Sequence, residues 1–219
     1  MHKEMKPTLS ILIPITPDRM ETVKPLLRKF STYNHGDFQI EMVGDELAYY
    51  RYYDFYTPEV EIILSLDDKI LTLGEKRELL YKKAQGEYSW QIDSDDMIDY
   101  EAVELILKAI NDESPDCITF EESVTIDGKL YRSNHSLEYD KWRDDFDGYD
   151  FTRSVFYKDV IKTEIAQSVP FPKIRYNEDE QWSALVMPHL KTEIHIPKQL
   201  YIYQYTSTPF NERYGITNG

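Results

Sequence analysis

Cysteine is almost absent from this chain: Cys117 stands alone among 219 residues. One thiol excludes an intrachain disulfide and any multi-cysteine zinc cluster, and it suits a reducing compartment. Glycine is scarce as well, at eight residues, and with eleven prolines it follows no repeat, so collagen-like, linker and repeat-array organisations fall away. No stretch approaches the roughly 20 apolar residues that a membrane helix requires. The apolar run Leu9 to Ile15 behind Met-His-Lys-Glu-Met-Lys-Pro is too short for the core of a signal peptide. Basic residues are outnumbered, 25 Lys and Arg against 40 Asp and Glu, for a formal charge of −15. That balance repels a phosphate backbone or an anionic membrane, so no long nucleic acid and no membrane span are expected. The expectation is a soluble, cytoplasmic protein.

What remains is 41% hydrophobic and 14% aromatic, enough to bury roughly 70% of the surface of the unfolded chain in one domain over 1–219. Leu9-Ser-Ile-Leu-Ile-Pro-Ile15 reads as a buried parallel strand ending at Pro14 and Pro17. Val23, Leu26, Leu27 and Phe30 follow at helical spacing, and Asn34-His35-Gly36-Asp37 stops that helix. Phe38 to Pro58 crowds six aromatic residues around Arg51 and obeys neither period, so its structure stays open. Val60 to Leu66 repeats the buried-strand pattern, Gly74 to Gln85 predicts a helix, and Gly86 to Ile92 predicts a third strand. Asp99 suits an N-cap for a helix with Ala102, Val103, Leu105, Ile106, Ala109 and Ile110 on one face.

Strands alternating with helices over the first 120 or so residues predict an open, doubly wound, mostly parallel α/β sheet, whose ligands gather at the carboxyl ends of the strands. Beyond Phe120 the pattern is more mixed. Asp127-Gly128 predicts a hairpin between Ser123 to Ile126 and Lys129 to Ser133. Helical stretches near Lys158 to Gln167 and Glu178 to Met187 precede strand-like Thr192 to Ile196 and Leu200 to Tyr205.

Chemistry concentrates where the third strand ends, at Asp93-Ser-Asp-Asp96. Each pair of carboxylates at about 4 Å costs on the order of 4 kcal/mol at an effective dielectric of 20, which a divalent cation relieves. Mg2+ or Mn2+ with carboxylate, water and phosphate oxygens is the natural occupant. The same residues also suit a turn with a helix N-cap. Glu178 and Asp179 open a later helix, where first-turn carboxylates profit from the helix dipole. Gly74-Glu-Lys-Arg77 begins another helix, and Lys76 and Arg77 there suit either a phosphate or a solvated face. Trp182, one turn after Glu178, suits stacking on a ligand ring, whereas Trp90 belongs to the core. His135, His189 and His195 follow no ligand spacing and read as structural.

Several of these segments together resemble family 2 glycosyltransferases of the GT-A fold. They are Leu9 to Thr16 with Asp18-Arg19, Glu61 to Asp67, Leu73-Gly-Glu-Lys-Arg77 and, most specifically, Ala84 to Asp96 with its DXD pattern. Arg175-Tyr-Asn-Glu-Asp-Glu-Gln-Trp182 resembles the late acidic motif of that family at the right distance. The resemblance covers most of the chain. It implies a nucleotide-sugar-binding half over 1–120 and a smaller, mixed acceptor-side half over 121–219.

The resemblance further implies a metal-dependent enzyme that moves a sugar from a nucleotide-diphosphate donor to an acceptor hydroxyl, with inversion. Under it Asp93, Asp95 and Asp96 are the metal set, Asp95 and Asp96 in direct contact and Asp93 at the nucleotide ribose or the metal's water shell. Asp179 becomes the general base and Glu178 its assistant. Thr16, Asp18, Arg19, Asp67, Gly74, Lys76 and Arg77 fall at nucleotide-binding positions. Two rivals stand beside it. A nucleotidyltransferase would need a glycine-rich phosphate loop after the first strand, and Thr16-Pro-Asp-Arg-Met has none. A non-catalytic binding module would use exposed aromatics of Phe38 to Pro58.

Overall fold

A computed structural model describes residues 7–15, 19–30, 38–43, 48–50, 62–64, 71–174 and 176–207. β1 (Leu9–Pro14) is buried along its whole length, as its apolar run predicts. Side-chain alternation splits it between two clusters: Leu9, Ile11 and Ile13 meet Val23 and Leu26 of α1 (Met20–Phe30), while Leu12 points to the opposite face. The chain continues to β2 (Phe38–Val43), which lies parallel to β1. β3 (Ala48–Tyr50) and β4 (Ile62–Leu64) pair antiparallel in a separate two-stranded sheet.

That pairing corrects the expectation that Val60 to Leu66 supplies the second core strand. The neighbour of β1 is β2, inside the segment that obeyed neither period. Short apolar runs signal burial but not partner, and partner choice is settled by register across the whole sheet.

α2 (Leu73–Lys83) leads to β5 (Tyr88–Gln91), the second parallel neighbour of β1. After the short β6 (Met97–Ile98), α3 (Ala102–Glu113) buries Ala102, Val103, Ile106, Leu107, Ala109 and Ile110. Asp99 does not cap α3 directly: its carboxylate accepts from the Glu101 N–H at 3.0 Å, one residue ahead of the helix. β7 (Cys117–Ile126) and β8 (Lys129–His135) form the expected hairpin. Asp127 and Gly128 take φ of 48° and 82°, the left-handed pair that a tight two-residue turn requires.

β9 (Arg143–Phe146) and β10 (Tyr149–Arg153) extend that edge. β11 (Val160–Lys162) runs antiparallel between β5 and β7 and feeds α4 (Thr163–Ser168), so the predicted helix over Lys158 to Gln167 starts only at Thr163 and three of its residues are strand. α5 (Glu178–Val186) appears as predicted. The two predicted C-terminal strands merge into β12 (Glu193–Tyr205), parallel to β7, with the register shifting around Gln199.

The open sheet runs β2-β1-β5-β11-β7-β8-β10-β9, with β12 pairing β7 and β6. One core cluster lies against α1 and α3; the other joins Leu80 and Tyr81 of α2, Ala166 of α4, and Trp182 and Val186 of α5. Helices thus cover both faces of the sheet. Its strand direction changes beside β5, where parallel β1 and antiparallel β11 flank it, and the aspartates follow there. No helix among the described residues is long and apolar enough to cross a membrane.

Candidate active site

The alternation of β5 decides which side chains reach the site. Tyr88 and Trp90 enter the α1–α3 cluster, so Ser89, Gln91 and then Asp93 face α2. α2 begins at a capping box: Thr72 Oγ1 accepts from the Glu75 N–H at 3.2 Å, and Glu75 accepts from the Thr72 N–H at 2.9 Å. Its second turn carries Arg77, only 1% exposed. Arg77 Nη2 lies 3.0 Å from Asp93, Nε 3.3 Å from Glu178 and Nη1 3.3 Å from Gln91. Its guanidinium carbon stands 3.5 Å from the centroid of the Tyr157 ring, and the Tyr157 hydroxyl donates to Asp93 at 2.6 Å.

A guanidinium this deep must be fully paired, since an uncompensated buried charge costs several kcal/mol. Two carboxylates, an amide and a ring face supply that pairing, and they fix both acidic motifs to one point. Burial works against the Asp93 charge, but Arg77, Lys158 and the Tyr157 hydrogen bond outweigh it and hold the carboxyl below its ordinary value. Glu178 goes the other way: burial and neighbouring Asp179 raise it against the pull of Arg77. Asp179 is half-buried beside it, and its charge also raises the Tyr157 phenol, after burial and Asp93.

α5 is held by Trp182. Its ring is fully buried, stacked on Phe171 at 4.6 Å and on Tyr81 at 5.3 Å, with Nε1 donating to the Val169 carbonyl at 3.1 Å. The expectation that Trp182 stacks on a ligand ring is therefore corrected: helical spacing turns it to the core, while Glu178 in the first turn meets Arg77. Gly74 acts in the same assembly. A β-carbon there would lie 1.9 Å from the Pro172 carbonyl oxygen, so the approach that glycine permits is to the segment leading into α5.

The three aspartates part company. Asp95 lines a cleft and pairs with Arg19 at 3.1 Å. Asp96 turns inward and is 1% exposed, accepting from the Tyr201 hydroxyl at 2.7 Å with Lys158 Nζ at 3.7 Å. The Tyr201 oxygen in turn accepts from the Asp93 N–H at 3.0 Å, so it secures the loop from both ends. Burial pushes Asp96 up to about 8, with Lys158 opposing. Among the described residues no group of three or more His, Cys, Asp or Glu side chains is placed to hold a metal ion. The expected three-aspartate cage is not present: Arg77 engages Asp93, and Tyr201 and Lys158 engage Asp96. Of the three, Asp93 and Asp95 line the cleft, Asp93 paired with Arg77 and Asp95 with Arg19, so a cation there would have to draw its remaining ligands from outside the protein.

Behind the loop runs a buried chain of alternating charge that sequence spacing does not reveal. Lys158 Nζ meets Glu122 at 2.7 Å, Glu122 meets His135 Nε2 at 3.2 Å, and His135 Nδ1 meets Asp159 at 3.0 Å. Burial alone would lower His135, but Asp159 and Glu122 raise it to about 9. Burial likewise opposes the Glu122 charge, yet Lys158 and His135 hold it at about 2. His135 is the satisfied structural histidine expected.

The cleft has a volume of about 610 Å³. Pro14, Ile15, Arg19, Leu71, Leu73 and Lys76 form one part of its lining, Asp93, Ser94 and Asp95 another, and Tyr176, Tyr203, Gln204 and Tyr205 the rest. Arg19 and Lys76 thus line the cleft, whereas Arg77 is an internal organiser. Thr16, Asp18 and Asp67 lie outside the described residues, as do the side chains of the tyrosine-rich segment. The tyrosines of β12 were not singled out by sequence; their alternation, Tyr201 and Tyr203 and Tyr205, was the available signal.

No protein-family model matches the chain, and no curated protein is similar to it in sequence. Solved structures are similar in fold. S. aureus TarS 1–349 in complex with UDP-GlcNAc superposes with a TM-score of 0.66 at 15% identity, over 94% of this chain and 60% of that one. The UDP complex of the same protein gives 0.66 at 16% identity, over 92% and 61%. The mannosyltransferase PcManGT from Pyrobaculum calidifontis, in complex with GDP-Man and Mn2+, gives 0.59 at 10% identity, over 96% and 60%. The chain thus spans about 60% of the length of these structures. At such identities the likeness is one of fold: the chain has the open α/β architecture of proteins that hold nucleotide sugars.

Proposed function

We propose that the protein is a glycosyltransferase moving a sugar from a nucleotide-diphosphate donor to an acceptor hydroxyl with inversion. The observation that carries this reading is the convergence of Asp93 and Glu178 on Arg77, which ties the aspartate loop to the start of α5 beside the cleft that Asp93, Asp95 and Tyr176 line. The donor complexes of the similar folds support it. The diphosphate lies along the wall of Arg19 and Lys76, which offset its charge in an otherwise acidic protein. Asp95, with Asp93 beside it, would hold a Mn2+ or Mg2+ ion, which supplies Lewis-acid stabilisation of the departing diphosphate.

Asp179 takes the proton of the acceptor hydroxyl. The acceptor oxygen bonds to the anomeric carbon from the face opposite the diphosphate, whose oxygen departs with the electron pair of the broken bond. Glu178, tied to Arg77, sets the first turn of α5 and so the position of the base. Incubation with a panel of UDP- and GDP-sugars, with and without Mn2+, tests the reading through nucleoside-diphosphate release. Release must require a donor of this class and fall by about two orders of magnitude in Asp95→Ala; no release from any donor, and no binding of UDP or GDP, would refute it.

A further inference from the structure

We propose that the open part of the cleft, walled by Tyr176 and Tyr205, is the acceptor subsite and that it takes a carbohydrate ring, so that the acceptor is itself a glycan or glycoside. This rests on the glycosyl-transfer reading. Tyr176 is 80% exposed, the most exposed large hydrophobic side chain among the described residues, and Tyr205 is 49% exposed. Both line the same cavity as Asp93 and Asp95. The other large aromatic residues near α5, Trp182, Tyr81 and Phe171, are buried, so this part of the chain packs its rings inward wherever packing is on offer. Tyr176 instead immediately precedes Asn177, held in the left-handed region at φ 63°, and then Glu178 and Asp179. The residue that would deprotonate the acceptor therefore follows an exposed aromatic ring by three positions.

Tyr203, which lines the same cavity, is held by Lys158 Nζ 3.8 Å from its ring centroid. Rigid rings with a polar tip beside hydroxyl-accepting carboxylates match one chemistry well. A pyranose offers flat C–H faces to stack and equatorial hydroxyls to donate. An extended peptide or an acyclic polyol offers no such face. The charge of −15 disfavours a polyanion.

The full chain is assayed with its active donor against methyl pyranosides and disaccharides, acyclic alditols and a serine peptide. Pyranosides are expected as acceptors, and Tyr176→Ala and Tyr205→Ala are each expected to raise the acceptor KM by about tenfold or more while the donor KM moves less than about twofold. Tyr176→Phe, which keeps the stacking face, should restore the acceptor KM. Better use of the peptide or the alditols, or an increase in donor KM instead, overturns the proposal. Should no donor turn over, saturation-transfer NMR with methyl glycosides reads the subsite by itself. A signal lost in Tyr176→Ala and kept in Tyr176→Phe supports a carbohydrate site even if glycosyl transfer fails, whereas its absence from the wild type overturns it.

Discussion

Glu178 Oε1 lies 3.3 Å from Nε of Arg77, and the same guanidinium reaches Asp93 at 3.0 Å, with the arginine side chain 2% exposed. One buried cation thus ties the end of β5 to the start of α5, and several consequences can be measured.

Arg77→Met leaves two carboxylates without their cation in a buried place, which destabilises a fold by about 3–5 kcal/mol. Urea denaturation should show that loss. Arg77→Lys keeps the charge but not the fork that spans both partners, so transfer should fall by about tenfold or more with a smaller loss of stability. An Arg77→Lys enzyme with wild-type kinetics would remove Arg77 from its organising role.

Asp179→Asn retains shape and removes the proposed proton acceptor. Transfer should drop by about two orders of magnitude or more while UDP affinity, read by calorimetry, stays within about twofold. Parallel loss of both would show that Asp179 binds donor instead.

Gly74→Ala sets two effects against each other. Alanine gains up to about 1 kcal/mol over glycine in a helix interior, and less at a first-turn position such as this. The new β-carbon, however, would lie 1.9 Å from the Pro172 oxygen, and relieving such overlap costs about 1–3 kcal/mol or more. The clash should win: the urea midpoint falls, and activity falls with it because Pro172 leads into α5. A more stable Gly74→Ala protein would contradict the contact.

The buried charge chain predicts a pH dependence of stability. His135 is raised to about 9 from an ordinary 6.5, so its contribution is complete below pH 6.5 and is lost as pH rises through 9. The loss is on the order of 3 kcal/mol for this fully buried group. Glu122, held at about 2, contributes above pH 4.5 and loses that contribution as pH falls toward 2. Thermal unfolding followed from pH 6 to 9.5 should show a decline that is flattened in His135→Gln. An equal decline in the variant would place its origin elsewhere.

The local chemistry of the chain determined a good deal by itself. The nearly unbroken apolar run Leu9 to Ile15 and the alternation of Tyr88 and Trp90 with Ser89 and Gln91 made β1 and β5 legible. Asp127-Gly128 had to turn, because only residues tolerant of positive φ fit there. Asp93 to Asp96 follow the carboxyl end of a strand, which the Asp-rich turn sequence marks. Each of these rests on short-range sterics or on alternation within one element, which neighbouring residues set. The capping box of Thr72 and Glu75 was equally local and marks where α2 starts.

The division of labour among the aspartates belongs to the tertiary structure. Asp95 and Asp96 are adjacent and chemically identical in sequence. One faces the cleft beside Arg19, whereas the other is claimed by Tyr201 and Lys158, which arrive from far along the chain. Trp182 and Arg77 show the same limit. Each was compatible with a ligand from its own segment, but Phe171 and Tyr81 enclose the first and Asp93 with Glu178 the second. Whether a polar or aromatic side chain meets a ligand or the interior depends on which distant groups satisfy it, and only the packed sheet brings those groups within reach.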